Sequence, residues 1–560
     1  MRICILLALL GIFNQSKAQQ QKKPNIILIM VDDMGFSDIG PYGSEIHTPN
    51  LDKLAGEGLR LREFYNNSIC APTRASLMTG QFAHKAGIGF FNVNLGLPAY
   101  QGYLNRESLT LAEVLKQSGY STLMSGKWHV GDDSLSWPNQ RGFDRFFGFI
   151  GGASNYFDIS PYKEKAPPVQ LVEDNKQVTL RPGQYLTDEI AGHAEKFLDE
   201  QDKTGKPFFL YVAYNAPHWP LQAQPEDIAR YRGKYSIGWD SLRTQRIARL
   251  KKLGLINANT TISHDEEVPA WASLTYDEQK LWEKKMEVYA AMIDRMDQGI
   301  GRILAKLKAL KKDDNTLIVF ISDNGAQGGF IPFGRKRQRN SGPIGSAGSY
   351  DYQEQSWAHV SNSPFRSYKA SAYEGGISSP LIAWFPGKIK AGTVARGTAH
   401  LIDLAPTFYD VAGTSYPLVF NKVNTHPLPG ISLAQLFFTQ QEPARKTPLF
   451  WERAGNRAVR NGKWKLVSSY SRNQWELYDI EADRAETKDL ATQYPQVVNE
   501  LSAAYDNWAK HNDVVEYDKI KPAGPSGFAG PFNSNAAGNT NHTNNAAATS
   551  GGQRTAQRNP

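Results

Sequence analysis

An unbroken apolar run from Ile26 to Val31 is the pattern of a β-strand covered on both faces. Strand-like runs recur at Ser121 to Met124, Phe208 to Tyr214 and Thr316 to Ile321, and the last two follow long helical patterns at Leu186 to Leu198 and Asp277 to Leu310. Asn50 is placed to cap a short helix through Leu54, and Ser108 or Thr110 to cap another through Lys116 that ends at Gly119. This alternation predicts an α/β fold, with a large mixed, mostly parallel sheet sandwiched between helices. From about Arg445 the pattern changes. Short strand candidates at Leu449 to Trp451, Ala458 to Arg460, Trp464 to Val467 and Trp475 to Tyr478 precede a helix around Val497 to Lys510. They predict a smaller C-terminal α+β subdomain of antiparallel strands and one helix over residues 445–515, after a main α/β domain over 23–440.

The two ends read differently. Residues 1–18 carry a basic second position, an apolar run from Ile3 to Phe13 and a Ser16-Lys17-Ala18 ending, the pattern of a cleaved secretory signal. Residues 522–560 are dominated by Gly, Ala, Asn, Ser and Thr and bury too little apolar surface to order, so a disordered tail is expected. No later stretch reaches membrane length, so a secreted or periplasmic protein without a membrane anchor is expected. With 41% hydrophobic residues in 560 the chain can bury a large core, and a net charge of +8 with scattered aromatics argues against nucleic-acid binding and for attraction of an anionic substrate. The dense basic run Arg335 to Arg339 reads as a solvated loop.

Polar groups suited to chemistry follow the predicted parallel strands. Asp32 and Asp33 come after the first, Lys127 and His129 after Ser121 to Met124, His218 after Phe208 to Tyr214, and Asp323 and Asn324 after Thr316 to Ile321. Open α/β sheets bind ligands beyond the carboxyl ends of their strands, so these segments are expected to converge on one crevice. The two acidic pairs offer oxygen ligands alone, which suits a hard divalent cation such as Ca²⁺ or Mg²⁺ better than zinc. Lys127 and His129, two apart, point the same way in an extended segment. Asp132-Asp133 follows a glycine in a predicted loop and Asp313-Asp314 precedes a strand; neither is assigned a role.

Of the two cysteines, Cys4 lies in the leader, leaving Cys70 without an intrachain partner at the start of a predicted helix. The segment Cys70-Ala71-Pro72-Thr73-Arg74, continuing to Gly80, resembles the maturation signature of the type I, formylglycine-dependent sulfatases of the alkaline phosphatase superfamily. Pro24 to Asp33, Gly126 to His129, Pro217-His218, Ser322 to Gly325, and Lys369 with Glu374-Gly375-Gly376 match that family in order. The resemblance implies that a maturing enzyme converts Cys70 to formylglycine (3-oxoalanine), and that Asp32, Asp33, Asp323 and Asn324 hold one Ca²⁺ touching sulfate and residue 70. It further implies that Arg74 and Lys127 fix the formylglycine, His129 hydrogen-bonds one of its hydroxyls, and Lys369 and His218 contact the sulfate and bridging oxygen. Of the hydrate's two hydroxyls, one would attack sulfur; the other would then lose a proton, so that the carbonyl reforms and expels sulfate. His218 is the expected general acid and Asp323 an expected base.

The implied activity is hydrolysis of sulfate monoesters, most simply of sulfated carbohydrates with aryl sulfates as surrogates. A phosphonate monoester or phosphodiester hydrolase on the same scaffold, and an inactive glycan-binding relative, are the alternatives. Substrate-specific contacts are expected from loops at 139–182, 231–271 and 329–360, rich in Trp, Tyr, Arg and Asn.

Overall fold

The computed structural model describes residues 22–160, 169–265, 267–329 and 341–520. The leader at 1–18, the basic run at 335–339 and the tail at 522–560 lie outside the described residues. The strands of the main sheet, in chain order, are β1 (Asn25–Val31), β2 (Leu59–Tyr65), β3 (Ser121–Gly126), β4 (Arg145–Phe149), β5 (Leu171–Glu173), β6 (Lys176–Gln177), β7 (Phe208–Ala213), β8 (Thr316–Ser322), β9 (Leu381–Trp384) and β10 (Thr393–His400). They form one 10-stranded sheet in the order β10-β2-β9-β8-β1-β7-β3-β4-β5-β6. The run from β8 through β1, β7 and β3 to β4 is parallel throughout, while β9 is antiparallel to both β8 and β2. A two-stranded ribbon of β11 (Val419–Phe420) and β12 (Val423–Asn424) follows. A separate antiparallel sheet of β13 (Leu449–Arg453), β14 (Asn456–Asn461), β15 (Trp464–Ser468) and β16 (Glu476–Asp479) is packed by the helix Pro495–His511.

Side chains of a strand alternate between faces, and β1 shows what this does to an all-apolar run. Ile26, Leu28 and Met30 enter one core with residues of the helices Cys70–Thr79, Leu111–Gln117 and Leu404–Ala412. Ile27, Ile29 and Val31 enter the opposite core with the helices Leu186–Asp202 and Tyr276–Ala309. Each such side chain, fully buried, contributes roughly 1.5–3 kcal/mol. The strand is thereby pinned on both sides, and its carboxyl end is a rigid platform.

Several expectations are corrected. Asn50 is not a cap: the helix there is Pro49–Glu57, its N-cap is Thr48, and Asp297 supplies the capping oxygens. Thr110, not Ser108, caps Leu111–Gln117, in a reciprocal box with Glu113. The stretches read as loops contain regular elements, among them β4, β5 and the helices Gly238–Lys252 and Glu354–Ser361. No helix among the described residues is long and apolar enough to cross a membrane.

Candidate active site

The strand tips converge as the parallel order requires. β1 lies between β7 and β8, so Asp32 and Asp33 leave the sheet between His218 and the Asp323-Asn324 pair, with Lys127 one strand further along. Backbone hydrogen bonds fix these exits: Asp32 N–H donates to Ala216 O at 3.2 Å, Asp323 N–H to Val31 O at 3.0 Å and Lys127 N–H to Ala213 O at 2.8 Å. A Cβ on Gly126 would fall 1.9 Å from Ala213 O, so only glycine lets the chain turn here and deliver Lys127.

Every residue named above for this site is buried. Lys127 Nζ donates to Asp32 Oδ2 at 2.5 Å, and Lys369 Nζ lies 2.6 Å from Asp33 Oδ1. Arg74 Nη2 donates to Asp323 Oδ2 at 3.1 Å and stands 3.6 Å from Asp32 Oδ2, while its Nη1 donates to the Lys127 carbonyl at 3.1 Å. The arginine thus ties the acidic groups to the tip of β3. Asp33, with φ +63°, donates its N–H to Asp323 Oδ1 at 3.1 Å. Thr73 Oγ1 donates to the Asp323 carbonyl at 2.8 Å, joining the Cys70 helix to the tip of β8.

Three oxygens in this cluster have no hydrogen-bond donor among the described residues: Asp32 Oδ1, Asp33 Oδ2 and Asn324 Oδ1. Asn324 is oriented by its own amide, which donates to Asp33 Oδ1 at 2.7 Å and Gly325 O at 2.9 Å and so turns its oxygen inward. Ligand atoms of Asp32, Asp33 and His218 also lie within 4.8 Å of one another. Buried oxygens without donors are costly unless a cation meets them, and an all-oxygen set with flanking imidazole fits a hard divalent ion. Burial and the charge of Asp32 push the Asp323 carboxyl up, as crowded carboxylates do. Burial would also raise Asp32, but Lys127, His218 and Arg74 outweigh it and hold that carboxyl low.

Cys70 opens the helix Cys70–Thr79, every residue of which is buried. It packs with Ile69, Ala370 and Phe91, and burial raises its thiol pKa although Lys127 and Lys369 act against that. The helix amino terminus and the charges of Lys127 and Lys369 favour an anion at this position, against burial and the carboxylates of Asp32 and Asp323. Lys369 is drawn in by its backbone N–H donating to Ala326 O at 3.1 Å. Burial alone would favour neutral Lys369, but Asp33, Cys70, Asp32 and Asp323 together outweigh it and keep the ammonium charged.

The two histidines differ. His218 Nδ1 donates to the Trp219 carbonyl at 2.6 Å, which leaves Nε2 as the nitrogen facing the site, 3.5 Å from Asp33 Oδ2. Burial pulls its pKa down to about 4 against the pull of Asp33 and Asp32. His129 Nε2 meets Asn92 Oδ1 at 3.0 Å; burial, then Lys127 and Arg74, push its imidazole well below the ordinary value. Sequence reasoning passed over Asn92 and Thr73. Thr73 was within reach, since it belongs to the Cys70 signature, whereas Asn92 sits in an irregular loop with no pattern to mark it.

Residues 24–414 match the family model described as sulfatase, and residues 367–510 match one described as N-sulphoglucosamine sulphohydrolase, C-terminal. The chain is 35% identical over 523 residues to an uncharacterized sulfatase of Schizosaccharomyces pombe, covering 87% of this chain and 93% of that protein. It is 37% identical over 432 residues to an arylsulfatase of Klebsiella aerogenes, covering 75% and 93%. The crystal structure of Ps i-CgsB in complex with k-i-k-neocarrahexaose superposes with a TM-score of 0.66 at 28% identity, covering 88% of this chain and 94% of that one. The fold, the converging strand tips and these matches agree: the chain belongs to the sulfatase family of sulfuric ester hydrolases.

Proposed function

We propose that this protein is an exported sulfatase that hydrolyses sulfate monoesters of carbohydrates to alcohol and inorganic sulfate, with Cys70 matured to formylglycine and one Ca²⁺ held by Asp32, Asp33, Asp323 and Asn324. The observation that carries this reading is the set of three buried oxygens without a donor among the described residues, together with a cysteine that begins a helix and feels the charges of Lys127, Lys369, Asp32 and Asp323. The ion, when bound, supplies positive charge toward sulfate oxygens, and the matured residue 70 supplies a hydrated aldehyde whose hydroxyl is the nucleophile.

The chain's own groups do the rest. Lys127 and Lys369 hold fixed ammonium charges beside the carboxylates, so charge that gathers on the sulfate oxygens meets donors already in place. Arg74 holds Asp32 and Asp323 against the β3 tip and keeps the cluster from spreading. His129 orients the hydroxyl at residue 70. His218 has its Nδ1 proton committed to Trp219 and burial leaves its Nε2 bare near neutral pH, so the proton it gives the departing alkoxide oxygen is one that Nε2 takes up when the anionic substrate lies against it. A sugar substrate is supported by the oligosaccharide bound to the Ps i-CgsB relative and by the 29%-identical N-acetylgalactosamine-6-sulfatase of Canis lupus familiaris.

Protein made with a sulfatase-maturing enzyme should carry the formylglycine mass on the peptide containing residue 70, and should hydrolyse members of a sulfated-sugar panel and 4-nitrophenyl sulfate. Cys70→Ala should abolish both activities. Full-rate hydrolysis by protein retaining an unmodified thiol, or faster turnover of matched phosphate esters, would refute the assignment.

A further inference from the structure

We propose that Asn92 and Asp132 are positioning residues that fix the tautomer of His129, so that its Nδ1 faces the site as a proton acceptor. The argument is one of donor and acceptor order. The side-chain amide nitrogen of Asn92 lies 2.9 Å from each oxygen of the Asp132 carboxylate. A carboxylate only accepts, so the amide must present its nitrogen to Asp132 and its oxygen to His129, at 3.0 Å from Nε2. That oxygen also only accepts, so Nε2 carries the proton. In a neutral imidazole the lone pair is then on Nδ1, which is buried and has no hydrogen-bond partner among the described residues.

The surroundings hold the ring in this orientation. His129 is 4% exposed and left-handed at φ +60°, and its N–H donates to Ile150 O at 2.9 Å. A Cβ on Gly152 would fall 2.6 Å from Nε2, so that face of the ring packs directly on backbone. The Phe91 ring lies 6.4 Å from the imidazole and also packs on Cys70. Asp132 is at the solvent rim, but its segment is stapled: its carbonyl accepts from the Trp137 indole at 3.0 Å, and Asp133 Oδ1 accepts from Leu135 N–H at 2.8 Å. A role for the Asp132-Asp133 pair, left unassigned in the sequence, follows.

This inference rests on the sulfatase reading, in which Nδ1 accepts a hydrogen bond from a hydroxyl of residue 70. Its test has two arms. In the first, protein made without a maturing enzyme and labelled with ¹⁵N-histidine is examined by long-range ¹H–¹⁵N correlation, which reports which ring nitrogen bears hydrogen. His129 is expected in the Nε2–H form. Asp132→Asn frees the Asn92 amide to turn and should populate the Nδ1–H form. The exchanged double variant Asn92→Asp/Asp132→Asn again puts an obligate acceptor at position 92, and should restore the Nε2–H form. In the second arm, on matured enzyme, Asp132→Asn should lower kcat about 10- to 100-fold with KM little changed, and the double variant should recover most of it. An Nδ1–H His129 in the unsubstituted protein, or an unchanged tautomer and kcat in Asp132→Asn, overturns the proposal. Matured enzyme without sulfatase activity would overturn the sulfatase reading instead, and the first arm would still be readable.

Discussion

At the scale of the residue, the site separates two imidazoles by what each is bonded to. His218 is tied through Nδ1 to its neighbour's carbonyl and looks toward Asp33 with Nε2, while His129 is tied through Nε2 to Asn92. A proton donor is needed most where the leaving group is poorest. His218→Gln should therefore slow hydrolysis of an alkyl or sugar sulfate by about 10²- to 10⁴-fold, and of 4-nitrophenyl sulfate far less, because nitrophenolate leaves without help. Comparing kcat/KM across leaving groups of graded pKa gives the measurement. Equal losses for all of them would remove His218 from the acid role and leave Lys369, 2.6 Å from the same Asp33, as the donor to examine.

At the scale of the element, helix ends are capped across the fold as well as locally. Asp297, in the middle of Tyr276–Ala309, accepts from Leu51 N–H at 2.9 Å and Asn50 N–H at 3.1 Å, closing the amino end of Pro49–Glu57. Burial raises its pKa from 3.8 to about 6 in spite of those bonds. Between these values the folded protein holds a proton that the unfolded chain releases, so stability falls as pH rises from about 4 to about 6, by about 3 kcal/mol from this group. Asp297→Asn should flatten that part of the profile, measured as the difference between variant and parent in denaturant midpoints at pH 4, 5, 6 and 7; parallel profiles would refute it. The same element shows where the sequence is silent. Asn50 carries the local cap signature, yet a side chain 247 positions away does the capping. Elements with an apolar face were readable: β1, β3, β7, β8, the long helices and the small sheet all stand where their patterns put them. β2 and β10 were not, since Leu59–Tyr65 and Thr393–His400 interleave charged or small residues. Gly238–Lys252 was hidden because Arg243 and Arg246 occupy its buried stripe, the latter 2.6 Å from Asp38 and 2.8 Å from Glu45. The site was legible for the opposite reason. Strand tips are adjacent in sequence to strands, so finding the strands found Asp32, Lys127, His218 and Asp323, whereas the irregular loop bearing Asn92 left nothing to find.

At the scale of the whole molecule, the small antiparallel sheet braces the loop that delivers Lys369. Arg366 Nη1 donates to Glu476 Oε2 at 3.3 Å and to Tyr478 Oη at 3.1 Å, and Tyr373 Oη donates to the same glutamate oxygen at 2.9 Å. At the far end of that loop, Lys465 Nζ of β15 lies 2.9 Å from Glu374 and 2.8 Å from Glu486, all three side chains wholly buried. Two carboxylates share this cation, and burial and Glu374 push the Glu486 carboxyl up. Lys465→Met removes the charge that reconciles them and should destabilise the protein by about 3–5 kcal/mol. Lys463→Met is the control. That lysine pairs with Asp479 at 2.9 Å but is 47% exposed, so solvent screens the pair and its loss should leave stability nearly unchanged. Because the brace positions Lys369, Lys465→Met should also lower kcat at temperatures where circular dichroism shows the variant still folded, and Lys463→Met should not. Equal stability and equal kcat in the two variants would mean that the small sheet rides on the large one without steadying the site.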